Sequence, residues 1–161
     1  MKKALKISLD IALIVLLICL MPYLHIGERA HEWLGALFVI LVWVHVKLNW
    51  AAFQAGFRRF WSSPLRLLNC LITSLASLAF LALLISGPFI SKYVFVFLPI
   101  SGGAALARSI HLLAAYWAFI FFSLHLGLFL ERAFGLTKYA ASSPRASKTL
   151  FIIALMATNL A

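Results

Sequence analysis

Acidic residues are nearly missing from this chain: four Asp and Glu stand among 161 residues, and charges of both signs amount to only 11%. So little charge cannot coat a water-soluble globule of this size, and that class is excluded. Cysteine is equally scarce. Cys19 lies late in one apolar run and Cys70 early in another that points the same way. They are expected near opposite faces, with no bridge between them. Strand-like alternation is also lacking. That removes a membrane barrel and leaves spanning helices as the way to satisfy backbone hydrogen bonds in lipid.

What is abundant is apolar: 65% of residues are hydrophobic and the mean hydropathy is +1.05. Four runs bounded by charge, residues 5–24, 32–53, 65–85 and 109–130, each reach the ~20 residues that a bilayer crossing needs. The expected fold is an all-α membrane protein, a four-transmembrane-helix bundle forming one domain over residues 1–148. Residues 149–161 add a short apolar segment, ~20 Å long as a helix. A half-inserted helix, an interfacial stretch and the truncated start of a fifth helix all fit its composition.

Basic residues outnumber acidic ones 14 to 4, a net charge of +10. In a soluble protein this would suggest nucleic acid; among spanning helices it reports topology, and no nucleic-acid partner is expected. Eleven of the basic residues fall on the side of the N-terminus and three, Arg29, Lys92 and Arg108, on the other. The positive-inside rule then puts the N-terminus in the cytoplasm. Lys2 and Lys3 before an apolar run also resemble a signal peptide, but no small-residue cleavage site follows, so the segment is expected to stay as a wall of the bundle.

Four of the five histidines form two pairs of identical spacing: His31 and His45 in the second run, His111 and His125 in the fourth. Fourteen positions at ~100° each fall only ~40° short of four turns, so both members of a pair share a helix face, ~21 Å apart along the axis. Both helices run outside to inside. His31 and His111 therefore stand at the outer level, His45 and His125 at the inner. One imidazole from each of two helices, aimed across a bundle, is an arrangement that clamps haem iron from both sides. Without a C-x-x-C-H run, such a haem would be held by coordination alone, which makes it b-type.

Other readings of intramembrane histidine are a hydrogen-bonded core residue and a proton carrier. Two pairs in register at equal spacing favour two haem b groups with these four histidines as axial ligands. A zinc site is disfavoured because its ligands must converge within a few ångströms. A histidine relay in a small proton-coupled transporter would need carboxylates between the levels, and Asp10, Glu28, Glu32 and Glu131 are not central. A non-catalytic membrane anchor or assembly subunit is a further alternative. Bis-histidine ligation leaves iron no open position, so electron relay is expected rather than substrate chemistry.

Haem propionates would meet cations: Arg29, Lys92 and Arg108 outside; Lys47, Arg58, Arg59 and Arg132 inside. Of these, Arg108 and Lys47 lie close to the ligands in sequence and are the cofactor-binding candidates; topology and headgroup contact explain the rest. Gly35, four residues after His31, leaves room for a flat macrocycle or for close helix packing. Gly127 points ~200° away from His125 and reads as a packing glycine. His25 reads as a solvated loop residue. Residues 93–98 run without charge in an outer connector, which fits either a stretch lying on lipid or a docking surface.

The block HEWLGALFVILVWVHVKLNW (residues 31–50), with HLLAAYWAFIFFSLHLGLF (residues 111–129) after it, resembles the bacterial flavinylation-associated cytochrome family. The similarity covers most of residues 5–131. Its most specific element is the first block, opened by H-E-W-L-G and closed by H-x-x-x-N-W. The resemblance implies a small membrane cytochrome b of the bacterial cytoplasmic membrane, related in design to the haem domains of ferric reductases. It also implies electron transfer, from a quinol or a reductase, to an extracytoplasmic protein carrying covalent FMN. By the same resemblance His31, His45, His111 and His125 match the family's histidines. A complete further helix at the C-terminus would be expected from the family and is not evident. No FMN-binding segment is apparent, so the flavin would belong to a partner.

Overall fold

The computed structural model describes residues 2–134 except Phe60, Ser62 and Ser101; the expected segment at 149–161 lies outside the described residues. The described chain is all-helical: α1 (Lys2–Leu20), a single turn α2 (Tyr23–Ile26), α3 (Glu28–Arg58), α4 (Pro64–Ile90) and α5 (Ala104–Phe134). Three helices are long and apolar enough to cross a membrane: α3, α4 and Ala104–Leu130 of α5. This marks a membrane protein with three such helices rather than a demonstrated four. α1 has 19 residues, and Lys3, Lys6 and Asp10 lie in its first half.

The helix limits differ from the expected runs for physical reasons. The run at 5–24 is interrupted because α1 ends at Leu20, just before Pro22, whose ring forbids continuation. The other three helices outrun their apolar cores at both ends, since a helix need not stop where charge begins. α4 opens with the Ser63 hydroxyl accepting from the Arg66 N–H at 3.3 Å, and Pro64 takes the first helical position. It also continues through Pro88, which was expected to lie in the connector. Being near the helix end, Pro88 forfeits little of the ladder.

Two antiparallel pairs result. α4 packs along α5 in the most extensive contact, α1 packs along α3, and α3 meets α4 more narrowly. The α4/α5 seam is built from small side chains. Apart from Ile72, the buried residues of the two helices are small: Ala76, Ala79 and Ser86 on one side and Ala107, Ala114 and Ala118 on the other, Ala118 at 1% exposure. Small residues let backbones approach closely, which is how helices gain contact where lipid removes the hydrophobic drive. Conversely, large apolar residues such as Trp43, Leu78 and Leu113 are more than half exposed, as lipid-facing positions are. Phe38 of α3, Phe80 of α4 and Phe122 of α5 meet with ring centroids 6.1–6.5 Å apart and join the two pairs at mid-height.

The connector after α4 is tied to α3. The Glu32 carboxylate accepts from the Ser91 hydroxyl at 2.6 Å and from the backbone N–H groups of Lys92, Tyr93 and Val94 at 2.8–3.0 Å. Glu28 pairs with Lys92 at 2.7 Å, and Arg29 lies over the Tyr93 ring at 5.3 Å. Its hydrogen bond to Glu28 raises the Lys92 ammonium above the usual lysine pKa. Beyond this clamp Val96 and Phe97 are exposed, and Gly102 and Gly103 take the positive φ values that turn the chain into α5.

Candidate functional site

The four paired histidines are all half-buried, on α3 and α5. At the level expected to be the outer one, His31 and His111 lie edge-on to each other with ring centroids 6.4 Å apart and planes at 71°. Two imidazoles on opposite sides of one metal ion would show nearly this separation. A metal–nitrogen bond is ~2.0 Å and the nitrogen lies ~1.1 Å from its ring centre, giving ~6.2 Å in all. Tyr23 stands edge-on to His31 at 5.2 Å. The outer pair therefore has the spacing that a haem iron between its rings requires.

Hydrogen bonds set the ring protons. A carboxylate can only accept, so the 2.8 Å contact between Asp10 Oδ1 and His45 Nδ1 puts the imidazole proton on Nδ1. Ser86 spends its single proton on the carbonyls of Ala82 at 2.6 Å and Leu83 at 3.3 Å. Toward His111 Nδ1, at 3.0 Å, its oxygen must then accept. With the proton on Nδ1, the neutral form of either ring keeps the Nε2 lone pair, the form in which histidine binds a metal. His125 Nδ1 meets the Thr73 hydroxyl at 3.2 Å. His31 Nδ1 is buried without a hydrogen-bond partner of good geometry; the Leu20 carbonyl, at the end of α1, is the backbone acceptor beside the ring. α1 ends at Leu20, so its helix does not continue past His31 as it does past His45.

The inner level is held by a wider polar network. Lys6 donates to Asn49 Oδ1 at 3.0 Å, and Asn49 donates to the His45 carbonyl at 3.0 Å. Lys6 and Asp10 are one turn apart on α1, as are His45 and Asn49 on α3, so the two pairs face each other across the antiparallel seam.

The structure thus brings His31 and His111 together. For His45 and His125 it fixes each ring through its own Nδ1 partner. Space lies open beside Gly35, where an added Cβ would meet nothing within 4 Å. Gly127 has the same open surroundings, so close packing does not explain it. Arg108 is exposed. The Lys47 ammonium lies over the Trp43 ring at 5.1 Å, and Lys47 is ~200° around α3 from His45. His25 is exposed in α2.

Asp10, Thr73, Ser86, Tyr23 and Glu32 are site residues that sequence reasoning did not assign. Asp10 carried a usable signal, since a carboxylate inside an apolar run calls for a partner. Compared with protein-family models, curated proteins and solved structures, the chain finds no match in any of the three.

Proposed function

We propose that this protein transfers electrons across the bacterial cytoplasmic membrane through two bis-histidine haem b groups. His31 and His111 would hold the outer haem, His45 and His125 the inner. The observation that carries this reading is the 6.4 Å opposition of His31 and His111, together with the Nδ1 partner that leaves His111 Nε2 able to bind. When bound, haem iron with both axial positions filled supplies one-electron exchange and no substrate site. The residues of this chain set ring orientation, ligand proton and shielding from water.

On this reading α1 is a fourth spanning helix, with its lysines at the cytoplasmic face and Asp10 turned to α3. The donor is a quinol or a reductase on the inner side. The acceptor is an extracytoplasmic FMN-carrying protein, as the family resemblance implies. Val96 and Phe97 lie on the lipid surface beyond the Glu32 clamp.

Haem content and the visible spectrum of the purified full chain test the reading. About two haems per chain and a low-spin spectrum with a sharp α-band on reduction are expected. His31→Ala should lose the outer haem and His125→Ala the inner. A folded protein that stays haem-free when haem is supplied rejects the proposal.

The Asp10–His45 contact also favours a second reading, a proton-coupled transporter with a histidine relay. That reading predicts pH-driven flux in vesicles from a protein with no visible absorbance.

A further inference from the structure

The imidazoles at the two levels keep unequal company. On the inner side His45 donates to a carboxylate, Asp10, at 2.8 Å. On the outer side His111 donates to a neutral hydroxyl that is itself bonded to the Ala82 carbonyl, and His31 Nδ1 has no hydrogen-bond partner of good geometry. A hydrogen bond from a ligating imidazole to an anion pushes electron density to the other ring nitrogen and makes it a more basic ligand. A more basic ligand stabilises the oxidised metal over the reduced one, which lowers the reduction potential.

We propose that Asp10 holds the inner histidine pair at a lower reduction potential than the outer pair, so that inner to outer is the downhill direction for an electron. This rests on the two-haem reading and gives its inner-to-outer direction a source in one side chain, Asp10. One electron passes from the inner site to the outer. No proton moves and no covalent bond changes. A quinol or reductase supplies the electron on the inner side, and a flavin takes it outside.

What separates the two sites is the direct bond from one imidazole to a carboxylate, not the surrounding surface charge. Lys6 lies one turn from Asp10, but its ammonium is bonded to Asn49 rather than to the carboxylate. Lys47 sits over Trp43. Arg58 is ~20 Å along α3 from His45 and is screened at the membrane surface. Outside, Glu28 is paired with Lys92, and Glu32 keeps its charge beside His31 but bonds Ser91 and three backbone N–H groups and no imidazole.

A spectroscopic redox titration of the purified full chain tests the inference. Two one-electron midpoints are expected, and His125→Ala should delete the lower. Asp10→Asn keeps the shape and an acceptor oxygen while removing the charge. The lower midpoint should then rise by about 59 mV, a tenfold change in the one-electron equilibrium constant, with the upper one unmoved. Ser86→Asp gives His111 a carboxylate and should lower the upper midpoint, a test that stands even where Asp10→Asn fails to retain the inner haem. Two bound haems with an unmoved lower midpoint in Asp10→Asn, an unmoved upper midpoint in Ser86→Asp, or loss of the upper signal in His125→Ala overturns the assignment while leaving two-haem binding intact. A wild-type chain that binds no haem overturns both.

Discussion

The two helix seams solve the same problem with different chemistry. Between α4 and α5 the side chains are small, and the polar contacts are neutral: hydroxyls of Thr73 and Ser86 against imidazoles, with Ser86 resting on its own helix backbone. Between α1 and α3 the polar contacts involve ions, Lys6 and Asp10, against Asn49 and His45. The first seam derives its contact from backbone proximity, the second from a few charge-assisted bonds near the inner end. The tightly packed neutral seam should be sensitive both to added volume and to loss of a partner, and the more exposed ionic seam less so.

Substitutions can sharpen or break that contrast, read as equilibrium unfolding in mixed micelles. Ala118→Leu should have the largest effect. Ala118 is 1% exposed, and added volume there should cost ~3 kcal/mol, the upper part of the range for overpacking. Ser86→Ala comes next, at ~2 kcal/mol, because it leaves the His111 Nδ1–H buried without an acceptor. Asn49→Ala in the ionic seam should cost ~1 kcal/mol, since its bonds lie in a partly exposed region. An Asn49→Ala loss greater than that of Ser86→Ala would erase the distinction between the seams. Arg29→Gln should have the smallest effect, ~0.5 kcal/mol, from loss of its contact with the Tyr93 ring.

Much of this arrangement is legible in the residues. The apolar runs mark α3, α4 and α5, and the matching 14-residue spacing puts His31 and His111 at one level. Helix ends are less legible, because residues 54–58 and 104–108 are charged or glycine-containing yet remain helical. Thr73 and Ser86 are hidden for another reason. Thirteen residues apart, they stand ~140° from each other on an ideal helix, so no face rule links them to histidines that share a face. Asp10 is visible as a carboxylate in an apolar run. Its reach to His45 depends on the register of α1 against α3, which no local pattern encodes. The Leu20 carbonyl beside the His31 ring is equally non-local, since it is there because another helix stops.

The Glu32 clamp is a latch in the mechanical sense. Glu28, Arg29 and Glu32 of the α1/α3 pair all grip the first residues after α4, at one end of the assembly. The three phenylalanines provide a second link at mid-height. At the other end the chain itself passes from α3 to α4 within five residues, so a force that parts the pairs must first undo the clamp, as a latch gives before the hinge it faces.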